Sequence, residues 1–204
     1  SHRLWLAMTS IPSIRPENLL PILIMLILWV GFSWIGLPEE TAFVLVVVIA
    51  ESYAVWRNLP TAAAGLKRVR ADSAMMLFWP VVAMVVLAAV QLVLANALFT
   101  QRVLSAGCAF VLVIMVLGIL REQDVMDRVT HDQGTLGQTY QRVSLLRINA
   151  IAAAAVIAVN EALIANGSLS VWITVMPLFA LVLHGFYWFM VLLVMPPEDE
   201  RARS

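Results

Sequence analysis

Apolar residues fall into six long blocks, at about residues 19–37, 42–59, 75–98, 103–120, 149–166 and 171–195. A hydrocarbon core about 30 Å thick is crossed by roughly 20 apolar residues in an α-helix, and each block approaches that length. The pattern predicts an all-α membrane protein, a six-transmembrane-helix bundle arranged as three helical hairpins. Three interruptions are short: Pro38-Glu39-Glu40-Thr41, Phe99-Thr100-Gln101-Arg102 and Gly167-Ser168. Two connectors, 60–74 and 121–148, are longer and polar. Val125 and Val129 extend the fourth helix a few turns beyond its apolar block, and Gly134 and Gly137 are expected to break it. Residues 1–17 read as a short interfacial segment interrupted by Pro12 and Pro16. Residues 196–204 follow Pro196-Pro197 as a charged tail. Pro177 removes one backbone hydrogen bond from the sixth helix, where a kink is expected.

Composition agrees with that pattern. The chain has 204 residues, 62% hydrophobic and 13% charged, against about half and a quarter in soluble domains. Its mean hydropathy is +0.90. Thirteen basic and thirteen acidic residues cancel, which argues against nucleic acid as a partner. Their placement is uneven. Arg57, Lys67, Arg68, Arg70, Arg121, Arg128, Arg142 and Arg147 lie on or beside the long connectors, whereas the short turns carry only Glu39, Glu40 and Arg102. Six spans put both termini on one side with the long connectors, and the positive-inside rule puts that side in the cytoplasm. The expected location is a bacterial cytoplasmic (inner) membrane.

Within this apolar chain a few polar side chains sit far from any turn. The stretch 149–166 contains Asn160 and Glu161 side by side. At ~1.5 Å per residue, Glu161 lies roughly 18–20 Å into the bilayer. Glu51, Gln91 and His184 fall at similar depth on the second, third and sixth spans, all within about the middle 10–15 Å. Ionisable groups there cost at least a few kcal/mol unless they find a partner, a proton or water. Three arrangements would make them tolerable. They can line a polar cavity, where Glu161 or Glu51 carries a proton or cation and His184 is its proton partner. They can pair between helices and hold the bundle together, or face a partner subunit or a second copy of the chain. Ala150, Ala154, Ala158, Glu161 and Ala165 share a helical face small enough for close approach of another helix.

Enzyme signatures are missing: the sequence has no H-E-x-x-H, G-x-S-x-G, Walker loop or C-x-x-C. Cys108 is the sole cysteine and reads as a small buried hydrophobe. Haem would need a second axial ligand level with His184, and no cofactor or metal is expected. His131-Asp132, near Asp124 and Asp127, reads as a solvated loop. The tryptophans cluster near span boundaries, where indoles anchor to the interface. The leading functional expectation is transport or permeation of a small solute or ion, proton-linked through buried carboxylates. The competing one is a non-catalytic membrane subunit or scaffold of a larger complex.

Overall fold

The structure, a computed structural model, describes residues 16–67, 73–128 and 133–194. Among these, all regular structure is helical: α1 Pro16–Ile35, α2 Glu39–Lys67, α3 Ser73–Leu94, α4 Ala97–Arg128, α5 Gln133–Asn166 and α6 Leu169–Val194. Three helical stretches, Ala97–Glu122, Tyr140–Asn166 and Leu169–Val194, are long and apolar enough to cross a bilayer. α1 and α3 add the apolar runs Leu19–Ile35 and Phe78–Leu94. These helices make the chain compatible with a membrane protein. The expected interfacial segment 1–17 falls almost entirely outside the described residues. So do the tail 196–204, the connector residues 68–72, and 129–132 with His131 and Asp132.

Local chemistry sets the helix ends. α1 closes at Gly36, whose φ of 77° only glycine adopts without strain. There the Gly36 N–H bonds the Ser33 carbonyl and the Leu37 N–H bonds the Phe32 carbonyl, the paired bonds of a Schellman motif. Pro38 follows, and Glu39 and Glu40 open α2 where the helix dipole favours negative charge. α3 ends on Ala95, at φ 45°, with its N–H on the Gln91 carbonyl. Asn96 then caps α4, its Oδ1 accepting from the Phe99 N–H at 2.8 Å. Ser168 caps α6 in the same way, with Oγ accepting from the Val171 N–H at 3.3 Å.

Two helices depart from the expected punctuation. Gly134 and Gly137 do not break a helix: both lie within α5, among its first described residues. A glycine costs about 1 kcal/mol in a helix interior and less near an end that has few bonds to lose. α2 likewise continues through Pro60 to Lys67.

The chain divides into two compact units. One comprises residues 16–102 with Ser168–Ile173, and α2 is its centre, packed against α1 and α3. Phe43, Val44, Val46 and Val47 of α2 are buried, as are Trp172 and Ile173. The rings of Phe43 and Trp172 meet edge to face with centroids 5.1 Å apart, a geometry worth about 0.5–1.5 kcal/mol beyond area burial. Trp172 is therefore a core residue rather than an interfacial anchor, whereas Trp34, Trp56 and Trp79 are exposed. In the other unit, residues 103–167 and 174–194, α5 buries Val143, Ile148, Ala153 and Asn160. α4 approaches α5 closely at Gly118, where an added Cβ would stand 3.2 Å from Leu146 Cδ1.

Candidate functional site

The five polar residues singled out by their depth are distributed over both units: Glu51 and Gln91 belong to the first, and Asn160, Glu161 and His184 to the second. In the first unit, α2 and α3 run side by side and form between them a half-open cavity of about 470 Å³. One face of α2 supplies Val48, Glu51, Ser52, Val55, Trp56 and Leu59, at the three- and four-residue spacing of a helical stripe. The facing stripe of α3 carries Val81, Met84, Val85, Ala88, Gln91 and Leu92. The walls are aliphatic and aromatic, with Glu51 and Gln91 set into them.

Glu51 and Gln91 are joined directly. The Gln91 amide donates to the Glu51 carboxylate. Gln91 is 1% exposed, and among the described residues its Oε1 has no hydrogen-bond partner. A buried carbonyl oxygen left unpaired costs about 1–3 kcal/mol, so the wall keeps an acceptor in want of a donor. Among the described residues that line the cavity there is no Lys, Arg or His. Such a site can take hydrogen-bond donors and positive charge at one point, and apolar groups along the rest.

The second unit treats its carboxylate differently. Ser105 Oγ, on α4, donates to Glu161 Oε1 at 2.7 Å and accepts from Asn160 Nδ2 at 2.9 Å. A hydroxyl offers one donor and two acceptor sites, so Ser105 can serve both neighbours at once. The result is a hydrogen-bonded chain from Asn160 through Ser105 to Glu161, pinning α4 to α5. Asn160 is fully buried and Glu161 half-buried.

No protein-family model, curated protein or solved structure matches this chain.

The site therefore rests on its own geometry. His184 packs its ring against Trp188 of the same helix, with centroids 6.3 Å apart. Among the described residues no group of three or more His, Cys, Asp or Glu side chains stands close enough to hold a metal ion. Ser105 is the functional candidate that sequence reasoning missed, because a serine in an apolar helix looks like any small residue. The packed face of α5 also differs from expectation. Ala153 and Asn160, seven residues apart, are buried, while Ala154, Ala158 and Ala165 are exposed. Asn160 has more hydrogen-bonding need than any alanine on the helix, and turning it inward lets it reach Ser105.

Proposed function

We propose that this chain is a multi-pass integral membrane protein of six spans, with both termini in the cytoplasm of a bacterial cell. It binds a small solute or ion in the α2–α3 cavity and carries it across the inner membrane. The observation that supports this reading is the pairing of Glu51 with Gln91 in an otherwise apolar wall, with Gln91 Oε1 buried and, among the described residues, unpartnered. A purely structural pair would close its polar atoms on each other; this one leaves a buried acceptor unpaired at the wall of a cavity large enough for a small molecule. Glu51 is the carboxylate that exchanges a proton or cation during transport, and Glu161 is the helix pin. The alternative, a non-catalytic subunit or scaffold, draws on Ser105, Asn160 and Glu161, whose bonds resemble the polar glue of helix bundles.

Reconstitution separates the two. Purified protein in proteoliposomes with a trapped pH indicator is challenged in turn with small amines, amides and carboxylates. Glu51→Gln is expected to reduce solute-driven proton movement at least tenfold, and Glu161→Gln to lower thermal stability while leaving flux largely intact. Wild-type vesicles that pass none of these solutes, from protein that purifies with other subunits, would establish the scaffold instead.

A further inference from the structure

The α2–α3 cavity offers acceptors at one point and grease elsewhere, and that asymmetry restricts what fits. Gln91 Oε1 can only accept. The Glu51 carboxylate, already taking one bond from the Gln91 amide, has lone pairs left and when ionised can only accept. Two acceptors at one spot repel an anion and are satisfied together by a group carrying several N–H donors. Ser52, one residue along α2 and also lining the cavity, adds a hydroxyl that can take a further N–H. With no cationic side chain among the described residues of the wall, the positive charge comes from the ligand.

An inorganic cation is a poor match. Calcium takes six to eight oxygens and magnesium a near-ideal octahedron, whereas this wall presents a carboxylate, an amide oxygen and a hydroxyl. The remaining space, lined by Val55, Leu59, Met84, Val85 and Leu92, would then stay unused. A cavity of about 470 Å³ instead falls within the usual range for small organic ligands, which is roughly 300–1,000 Å³. Trp56, four residues after Ser52 on the same stripe, adds an indole to this wall, and an indole can attract a cation.

We infer that the cavity binds a lipophilic amine: a primary or secondary ammonium head held between Glu51 and Gln91, with an apolar tail along the α2 and α3 stripes. The inference rests on reading this cavity as the binding site of the transport proposal, and it names the solute class. Charge-assisted bonds from the head pair the Gln91 oxygen and neutralise Glu51 in one step. The aliphatic wall takes up the tail without requiring any bond from it.

The test is equilibrium binding of radiolabelled 4-phenylbutylamine to the full chain in lipid nanodiscs, with empty nanodiscs subtracting partition into lipid. Two ligands of matched shape, 4-phenylbutanol and 4-phenylbutyrate, serve as competitors. The expected result is saturable binding, competition by the alcohol at least tenfold weaker than by unlabelled amine, and none by the carboxylate. This comparison uses the wild-type protein and needs no variant to fold. Glu51→Gln and Gln91→Leu, accepted only if monodisperse on size exclusion, should each weaken amine binding tenfold or more, while Glu51→Asp retains part of it. Equal competition by alcohol and amine, preference for the carboxylate, binding unchanged in both variants, or no saturable signal above empty nanodiscs would each overturn the inference. Amine binding without flux in vesicles would retire transport alone. Flux of another solute by a chain that binds no amine would retire the amine alone.

Discussion

A single hydroxyl, that of Ser105, serves two side chains that come more than fifty residues later in the chain. Replacing it by alanine deletes a donor to Glu161 and an acceptor for the fully buried Asn160. Ser105→Ala is therefore expected to destabilise the protein by about 1–2 kcal/mol, read as a lower melting temperature in detergent. Ser105→Thr, which keeps the hydroxyl, should recover part of the loss, and an unchanged melting temperature in the alanine variant would deny the pin its structural weight. Asn160 and Glu161 were legible because an amide and an acid inside an apolar run are costly and must be accounted for. Ser105 was not, because serine in a helix commonly bonds its own backbone, as Ser33 does with the Trp29 carbonyl. Gln91 was legible by depth, but its bond to Glu51 was not. Sequence position gives height along a helix, whereas contact also needs the rotation about its axis.

At the scale of elements, the helix ends differ in how openly they were written. Gly36 followed by Pro38 spells a stop and a restart, and the structure places the glycine at positive φ. Ala95 occupies the same kind of position without the residue that suits it, so nothing in the sequence marked it. The pair makes a reciprocal prediction. Space around the Gly36 Cα is open, so the cost of Gly36→Ala is one of backbone strain, about 1 kcal/mol. Ala95→Gly relieves the same strain and should stabilise by up to about 1 kcal/mol. Thermal unfolding of the two variants should move in opposite directions, and a shared direction would contradict the φ assigned to one of them. The expected break at Gly134 and Gly137 failed for a related reason: a glycine signals the end of a helix only where the chain must turn.

For the molecule as a whole, the strongest sequence signal was the arrangement of charge, with eight basic residues on or beside the long connectors and little but Glu39, Glu40 and Arg102 at the short turns. On the proposed six crossings, that asymmetry puts both termini inside the cell. It is tested by reporter fusions in a bacterial host. A cytosol-maturing fluorescent protein after Ser204 is expected to shine, and alkaline phosphatase inserted between Gly167 and Ser168 is expected to be active. The converse pattern would invert the topology and place the turns inside. Composition was enough to reveal helices that can cross a bilayer, since only continuous apolar runs survive in oil. The division into two units was not legible, because residues 168–173 belong with one and the remainder of α6 with the other, a boundary no apolar pattern marks.

The seclusion of Trp172 against Phe43 has a spectroscopic side. Among the described indoles this one is shut away, while Trp34 and Trp56 stand open at 88% and 78%. Emission from the intact protein should then separate into a fraction reached by a collisional quencher and a blue-shifted fraction that resists it. Phe43→Ala, which opens the packing around Trp172, should move light from the second fraction to the first.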